Sequence, residues 1–201
     1  MHLFPKPATW TVATYDGFTA ATFLGCRQAA YRRLALDAGI GSGDRVLDLG
    51  SGPGTLTRAA ADLAGSSGQV IGLDSSPEMV IHAQRLGGDS RVGDVARPPF
   101  SDNSFDVVVS ALALHHVEPE DRYAVFAQAF RMLIPGGRLL VAEFAPPFGR
   151  LGRAVAKGVF HTEIADDPRA DLVDRMARAG FQRIETRRSG VVTVVRSIRP
   201  V

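Results

Sequence analysis

Short apolar runs alternate with stretches of helical periodicity through the middle of the chain. The runs VLDL at 46–49, VIGL at 70–73 and VVVSAL at 107–112 are continuous and rich in branched apolar residues. Runs of this length and composition predict strands that are buried on both faces. The helix-forming segment at 54–65 separates the first two runs. Because strand–helix–strand units join parallel strands, the pattern predicts an α/β fold with a largely parallel sheet.

Start and stop signals define the elements that follow. Ser76 is placed to cap a helix that Gly87–Gly88 ends. A short strand is expected near Arg91–Val92. A further helix is predicted over residues 118–137, because acidic residues begin this segment and Pro-Gly-Gly ends it. The apolar run at 137–144 then predicts a fifth strand.

The two ends of the chain complete one predicted domain, since 201 residues suit a single core. Asp167–Pro168 opens a helix that closes at Gly180, and residues 181–188 and 190–198 predict an antiparallel hairpin at the sheet edge. Residues 17–39 predict an amphipathic helix with its arginines on one side. The expected divisions are an N-terminal helical cap or lid at 1–38, a core at 39–144, a variable segment at 145–166 and a C-terminal helix and hairpin at 167–201.

Composition narrows the class of protein. The formal net charge is only +2, which favours an ordinary solvated surface over a strongly basic one. Cys26 is the only cysteine, so an intramolecular disulfide and a thiolate zinc cluster are excluded, and no metal site is expected. No segment reaches the roughly 20 apolar residues of a spanning helix, and the N-terminal segment lacks the apolar stretch of a signal peptide. We therefore expect a cytoplasmic protein without a transmembrane segment.

Three glycines, Gly50, Gly52 and Gly54, follow the first strand at alternate positions. Glycine lets the backbone approach a ligand closely and adopt positive φ without strain. A P-loop would need Lys-Ser/Thr after the last glycine, and a dinucleotide fingerprint would place its third glycine one residue later. Asp48, just before the loop, would repel a pyrophosphate and suits a ligand with an ammonium or sulfonium group. S-adenosylmethionine carries both groups.

Two further carboxylates follow the next strands. Asp74 ends the second strand, where it could accept hydrogen bonds from both ribose hydroxyls of an adenosine. Asp94 follows the third strand, where it could accept a hydrogen bond from the adenine amino group. NAD shares the ribose contact, so Asp74 alone does not separate the two cofactors. Each carboxylate also has a structural alternative: Asp48 could cap the loop after it, and Asp74 could cap the next helix with Ser75 and Ser76.

Four motifs occur in a characteristic order: VLDLGSGPG at 46–54, VIGLDSSPEMV at 70–80, GDVARPPFSDNSFDVVVSALALHHV at 93–117 and RMLIPGGRLLVAEF at 131–144. Together they resemble class I S-adenosylmethionine-dependent methyltransferases over about residues 39–144, specifically the small bacterial group that includes ubiquinone/menaquinone C-methyltransferases. The resemblance implies an α/β, Rossmann-like doubly wound sheet of seven strands in the order 3-2-1-4-5-7-6, with strand 7 antiparallel. It implies that S-adenosyl-L-methionine is bound and S-adenosyl-L-homocysteine released.

The resemblance also implies the cofactor contacts. Gly50 and Gly52 would pack against the methionine part, Asp74 would hold the ribose, and Met79 would flank the adenine. Asp94 with Val95 would contact the adenine edge. The complete set of expected cofactor-binding residues, with Tyr15 as a lid residue, is Tyr15, Asp48, Gly50, Ser51, Gly52, Gly54, Asp74, Ser75, Met79, Asp94, Val95, Ser110 and Ala111.

Two histidines are candidates for proton transfer. His115 and His116 follow the fourth strand, at the sheet edge where an acceptor would stand, so either could take a proton from a phenol, enol or ring carbon. The structural alternative is that one packs and the other hydrogen-bonds a neighbouring loop. Glu143 and His161 are weaker candidates. Methyl transfer depends mainly on alignment, so a missing base would not abolish it.

Several rival functions can be compared with the sequence. SALA at 110–113 replaces the Asp/Asn-Pro-Pro-aromatic motif that clamps a flipped base, so DNA is not an expected substrate. An NAD-dependent oxidoreductase and a non-catalytic cofactor-binding scaffold stay open as alternatives. Apolar residues recur between Phe148 and Val159 with basic residues among them. They predict a pocket wall for a small, largely apolar acceptor, or else a helix resting on a membrane surface. O-, N- and C-methylation, and a monomer or homodimer, are all compatible with these residues.

Overall fold

The computed structural model describes residues 26–145, 168–189 and 192–201. Helices and strands alternate along these ranges, as the hydrophobic pattern predicts. In chain order the elements are α1 (Arg27–Asp37), β1 (Arg45–Leu49), α2 (Thr55–Ala64), β2 (Gln69–Asp74), α3 (Pro77–Arg85), β3 (Asp89–Val92), β4 (Phe105–Ala111), a 3-10 turn (Leu114–His116), α4 (Arg122–Met132), β5 (Leu133–Phe144), α5 (Arg169–Arg178), β6 (Gln182–Ser189) and β7 (Val192–Ile198).

The seven strands form one sheet in the order β3-β2-β1-β4-β5-β7-β6. β1 pairs in parallel with β2 on one side and with β4 on the other, so Leu47 lies between Ile71 and Val108. β7 runs antiparallel to both β5 and β6. The predicted strand order and the antiparallel seventh strand are therefore confirmed.

Helices cover both faces of the sheet. Successive residues of a strand point to opposite faces, and Val46 and Leu47 of β1 accordingly belong to two separate hydrophobic cores. In one core, Phe126 of α4 and Met176 of α5 are almost completely buried against the strands. In the other, α1 and α2 supply residues such as Tyr31. The central strands are mainly apolar because both of their faces are covered.

The predicted helix over 118–137 is wrong at both ends. The helix α4 begins at Arg122 and ends at Met132, and the next residue, Leu133, already pairs with Phe105 of β4. The apolar residues after Met132 are thus used by a central strand of the sheet. Strand pairing in the folded chain has overridden the local helical pattern, as tertiary context often does.

Parts of the predicted N-terminal and variable segments lie outside the described residues. The helix α1 is the described part of the helix predicted over 17–39, while Tyr15 and residues 146–166 are not described. The longest described helices, α1 and α4, have 11 residues each. Within the described ranges, no helix combines the length and apolar character needed to cross a membrane.

The carboxyl ends of the five parallel strands β1 to β5 meet at one edge of the sheet. Ligands of open α/β sheets bind at this edge, where the strand order reverses beside the first strand. The loops after Leu49, Asp74, Val92 and Ala111 converge there, and β5 ends at the same edge with Phe144. The fold therefore brings the predicted glycine, carboxylate and histidine residues to one region.

Candidate functional site

Two glycines of the loop after β1, Gly50 and Gly54, leave no room for a side chain. Gly50, Gly52 and Gly54 have φ angles of 73°, 51° and 80°, a left-handed conformation that side chains rarely adopt. A Cβ on Gly50 would overlap the Cβ of Ala113, and one on Gly54 would lie 2.9 Å from the Cβ of Ala83. The loop is therefore pressed against the chain that follows β4 and against α3.

The amides of the loop are already bonded within the protein. Gly50 and Ser51 both donate to the carbonyl of Leu73, at 2.8 and 3.1 Å, and Gly52 donates to Asp74 Oδ2 at 2.7 Å. A phosphate bound at a glycine loop needs free N–H groups directed at it. This loop offers close backbone approach, but these three amides are not free to bind an anion.

Asp48 lies behind the loop. Its side chain is 1% exposed, and Oδ2 accepts a 2.7 Å hydrogen bond from the Thr57 hydroxyl. Because Thr57 lies in the first turn of α2, this bond places the Asp48 carboxyl group at the N-terminus of that helix. Asp48 lines a small cavity of about 10 Å³ with Tyr31. These contacts match the structural alternative, in which Asp48 caps the segment after it.

The buried Asp48 predicts a measurable pH dependence of stability. Burial raises the pKa of Asp48 to about 7, although the Thr57 hydrogen bond opposes the shift. In the unfolded chain an Asp carboxyl titrates near 3.9, so the folded state binds the extra proton between about pH 4 and pH 7. The protonated Asp48 side chain therefore contributes to the free energy of unfolding at low pH. This contribution is lost as the pH rises through that window, which lowers the free energy of unfolding by an amount on the order of 4 kcal/mol.

Asp48→Asn is expected to flatten this slope, measured by urea unfolding at intervals between pH 4 and pH 8. Burial also raises the pKa of Asp74, so the wild-type slope contains a contribution from Asp74 as well. The contribution of Asp48 is the difference in slope between the wild type and Asp48→Asn. Asp89→Asn, at an exposed carboxylate, is the matched control and should keep the wild-type slope. An Asp48→Asn protein with the wild-type slope would contradict the assignment.

Asp74 joins the glycine loop to the start of α3. Its Oδ2 accepts from Gly52, and its Oδ1 accepts from the Ser76 amide at 2.9 Å. Ser76 in turn caps α3 through the Met79 amide, as the sequence predicts. The carboxylate thus fixes two segments at once. It also faces a cavity at this edge of the sheet.

That cavity, called here the larger cavity, has a volume of about 260 Å³. Seven of the predicted cofactor-binding residues line it: Gly50, Gly52, Asp74, Ser75, Met79, Asp94 and Val95. The larger cavity is also lined by His116 and by seven residues that were not predicted as ligand contacts from the sequence: Ser76, Ala96, Leu112, Ala113, Val117, Glu118 and Asp121. Most of these residues come directly after β4, and this position in the chain was the signal that could have identified them.

The other predicted residues are placed elsewhere. Ser110 is buried and its hydroxyl donates to the Leu49 carbonyl at 2.8 Å. Ser51 and Ala111 line the 10 Å³ cavity beside Asp48. Gly54 acts in the loop backbone, and Tyr15 lies outside the described residues. The side chains of Ser51, Ser110 and Ala111 therefore do not line the larger cavity.

The described lining of the larger cavity is acidic. It includes four carboxylates, those of Asp74, Asp94, Glu118 and Asp121, and neither lysine nor arginine. At the rim, the exposed Arg97 lies 3.5 Å from Asp94 and 3.9 Å from Asp121. Such a lining favours a ligand with positive charge and disfavours a phosphate.

A buried carboxylate holds the turn that carries the two histidines. Glu143, 4% exposed at the end of β5, accepts the amides of Ala113 and Leu114 on Oε1, at 3.0 and 2.7 Å. Its Oε2 lies 2.8 Å from His115 Nδ1. Burial would raise the pKa of Glu143, but the charge and hydrogen bond of His115 and the two amides hold it below its ordinary value. Glu143 is therefore ionised at neutral pH.

His115 and His116 face different cavities although their ring centroids are only 4.0 Å apart. His116 lines the larger cavity, and His115 lines a second one of about 70 Å³, called here the smaller cavity. Desolvation and the neighbouring His115 lower the pKa of His116, so His116 is neutral at neutral pH. The two cavities are therefore adjacent, and each is lined by one of two neighbouring imidazole rings.

Known proteins match this chain in sequence. A family model described as a methyltransferase domain matches residues 47–141. The demethylmenaquinone methyltransferase of Beutenbergia cavernae is 42% identical over 120 residues, 58% of this chain and 48% of that protein. The ubiquinone/menaquinone biosynthesis C-methyltransferase of Pseudomonas savastanoi pv. phaseolicola is 32% identical over 203 residues, 85% of this chain and 78% of that protein.

The match in structure extends over most of the chain. A solved S-adenosylmethionine-dependent methyltransferase from Aquifex aeolicus superposes with a TM-score of 0.72 at 18% identity, covering 95% of this chain and 100% of that one. This likeness shows a shared fold. In sequence, the chain spans about half the length of the first curated relatives it matches, 48%, 56% and 55%.

Proposed function

The chain belongs to the family of ubiquinone/menaquinone biosynthesis C-methyltransferases, and on that premise we propose that it transfers a methyl group from S-adenosylmethionine to a small, largely apolar acceptor. Family membership confirms the class expected from the four motifs, an S-adenosylmethionine-dependent methyltransferase, and the cofactor that this class uses. The activity of the whole protein and its acceptor are proposals, since the first matched relatives extend well beyond the aligned part.

The observation that carries the proposal is the combination of an acidic cavity with a glycine loop whose amides are already bonded. S-adenosylmethionine has a sulfonium, an ammonium and an adenosine, and it has no phosphate. Gly50 and Gly52 would lie against its methionine part, where any Cβ at Gly50 would meet Ala113. Asp74 would exchange its present amide partners for ribose hydroxyls or share them, and Asp94 would face the adenine.

The same features count against NAD. The pyrophosphate of a dinucleotide binds at free amides of a helix N-terminus, whereas the Asp48 carboxyl group already lies at the start of α2, bonded to the Thr57 hydroxyl. The four carboxylates of the larger cavity would also repel the pyrophosphate. An NAD-dependent oxidoreductase is therefore disfavoured on electrostatic grounds.

The acceptor is proposed to enter at the smaller cavity. Phe126, Phe144 and Leu172 supply apolar surface there, and His115 supplies a polar group. The relatives are named for demethylmenaquinone and for ubiquinone and menaquinone biosynthesis, and a single aromatic ring of such an acceptor suits these walls. When bound, S-adenosylmethionine supplies an electrophilic methyl group on sulfur. The protein supplies alignment and exclusion of water.

Ligand binding and turnover test the proposal. We expect S-adenosylmethionine and S-adenosylhomocysteine to raise the melting temperature, by the equivalent of about 2.7 kcal/mol at a hundred times Kd, and NADH to leave it unchanged. Tritium from the methyl group should then pass to a demethylated naphthoquinol or a simple phenol. Stabilisation by NADH alone would contradict the proposal, and binding without turnover on any acceptor would indicate a scaffold.

The remaining expectations stay predictions. A cytoplasmic location is supported by Cys26, an exposed free thiol, which a reducing compartment tolerates. The division into a cap, a core, a variable segment and a C-terminal unit is consistent with the described elements. A monomer and a homodimer are both compatible with these elements.

A further inference from the structure

We propose that Glu143 is a positioning residue that holds His115 as the proton acceptor of the reaction, with Nε2 directed to the smaller cavity. This inference rests on the proposed function, and it separates the roles of the two adjacent histidines. It requires an acceptor that loses a proton from the atom that is methylated. Three observations support it: the bonding of Glu143, the position of His116 and the walls of the smaller cavity.

The hydrogen bonds of Glu143 determine the tautomer of His115. Oε1 accepts two backbone amides, those of Ala113 and Leu114, and Oε2 faces His115 Nδ1 at 2.8 Å. An ionised carboxylate can only accept hydrogen bonds, so Nδ1 must carry the hydrogen. In neutral imidazole the other nitrogen then has a free lone pair. Glu143 therefore leaves Nε2 of His115 as the basic atom.

His116 is unsuited to this role. It lines the larger cavity, where the methyl donor is proposed to bind, and not the smaller one. The lowered pKa of its ring makes it a weaker base than an ordinary histidine. Its position beside His115 instead places it where the two cavities adjoin, next to the point at which donor and acceptor would meet. The two rings belong to the same short turn after β4, so the position of the base relative to this junction is fixed by local structure.

The smaller cavity has a polar end and apolar sides. His115 and Glu143 form the polar end, while Phe126, Phe144 and Leu172 contribute apolar sides. The charged residues on its lining have protein partners: Arg175 pairs with Asp171 at 2.8 Å, and Arg122 donates to the Val117 carbonyl at 2.9 Å. The cavity is therefore suited to a neutral acceptor whose polar end reaches His115.

The proposed reaction moves one proton to the protein and one methyl group to the acceptor. The acceptor proton moves to His115 Nε2, and the electron pair of the broken bond stays on the acceptor. That pair forms the new bond to the methyl carbon, and the pair of the former carbon–sulfur bond stays on sulfur. His115 becomes an imidazolium paired with the Glu143 carboxylate, and it returns to neutral by losing the proton to water.

Glu143→Gln is the sharpest variant because it changes one hydrogen bond and little volume. The glutamine oxygen must keep facing the Ala113 and Leu114 amides, so its NH2 group faces His115 Nδ1. A donor at that place requires Nδ1 to accept and moves the ring hydrogen to Nε2. The variant is expected to keep the fold and to leave His115 with no lone pair in the smaller cavity.

The tautomer can be read directly from long-range 1H–15N spectra of the full chain labelled with 15N-histidine. We expect Nδ1 of His115 to carry hydrogen in the wild type and Nε2 to carry it in Glu143→Gln. His115→Asn and His116→Gln variants assign the signals, and Glu120→Gln, a nearby exposed glutamate, should match the wild type. Hydrogen on Nε2 in the wild type, or an unchanged tautomer in Glu143→Gln, would overturn the proposal.

A ligand pair tests the need for a removable proton. With S-adenosylhomocysteine present, phenol should move the His115 Nε2 signal of the wild type, whereas anisole, which lacks the hydroxyl hydrogen, should not. Equal responses to both probes would overturn this part. On a labelled acceptor, Glu143→Gln and His115→Asn should each lower kcat by a similar factor of about 10²–10⁴, with unchanged affinity for S-adenosylhomocysteine.

These readouts separate the two proposals. A wild type that fails to bind S-adenosylhomocysteine would contradict the proposed function, whatever the tautomer of His115. A wild type that binds it but has the other tautomer would contradict only the role of Glu143.

Discussion

Gly50→Ala is expected to lower the free energy of unfolding by about 2–5 kcal/mol and to abolish measurable binding of S-adenosylhomocysteine. Left-handed backbone costs a side-chain-bearing residue roughly 1–2 kcal/mol, and the overlap of the new methyl group with the Cβ of Ala113 adds about 1–3 kcal/mol. Relief of the overlap would move the loop away from the larger cavity. Urea unfolding and calorimetry measure the two effects.

Gly41→Ala is the matched control for this prediction. A Cβ at Gly41 meets nothing within 4 Å, and its backbone is outside the left-handed region, so its stability should change by less than about 0.5 kcal/mol. The double variant Gly50→Ala/Ala113→Gly should recover the stability that is lost through overlap with the Cβ of Ala113. It should not recover the stability that is lost through the left-handed backbone at residue 50. A Gly50→Ala protein as stable as Gly41→Ala would contradict the packing described for the loop.

Asp74→Asn is expected to weaken binding of S-adenosylhomocysteine by at least about 100-fold. Hydrogen bonds to a charged group are worth about 1.5–3 kcal/mol each, and every 1.4 kcal/mol is about tenfold in Kd. The side-chain amide of asparagine would also face the amide of Gly52 or Ser76 as a second donor. Both the proposed ribose contact and the joint between the loop and α3 are therefore weakened.

Calorimetry with S-adenosylhomocysteine measures this loss, and Asp89→Asn on β3 provides the same change of charge outside the larger cavity. The control should bind with the Kd of the wild type. Circular dichroism of Asp74→Asn should be that of the wild type, because the sheet does not depend on this side chain. Wild-type affinity in Asp74→Asn would exclude the carboxylate as a ligand contact.

Much of the fold was predictable because its signals are local. The apolar strands, the Ser76 cap and the closing glycines each lie within a few residues of the element they define. The helix over 118–137 failed where a long-range contact decides the outcome: Leu133 pairs with Phe105 in the sheet. The local sequence pattern contains no information about that pairing, so it predicted that the helix continues.

About half of the lining of the larger cavity was also predictable, for a different reason. The predicted cofactor contacts in it lie at or follow the carboxyl ends of β1, β2 and β3, and the topology brings those ends together. The directions of side chains within strands were less accessible. Ser110 turns back to the Leu49 carbonyl, and Asp48 turns to Thr57, so neither side chain faces the larger cavity.

The pair formed by Glu143 and His115 was missed because 28 residues separate the partners. A signal for it existed in the predicted strand order. Strands β4 and β5 are neighbours, and Ala111 pairs with Ala142, so the next residue, Glu143, must lie beside the turn after β4. Sheet order combined with register would have placed the carboxylate next to the two histidines.

Titration of 15N-glycine-labelled protein with S-adenosylhomocysteine shows whether the larger cavity at the glycine loop binds the cofactor. We expect the amide signals of Gly50 and Gly52 to move, and those of Gly136 and Gly180, far from this edge of the sheet, to stay in place. Unmoved Gly50 and Gly52 signals at saturating ligand, or shifts confined to the distant glycines, would contradict cofactor binding in the larger cavity.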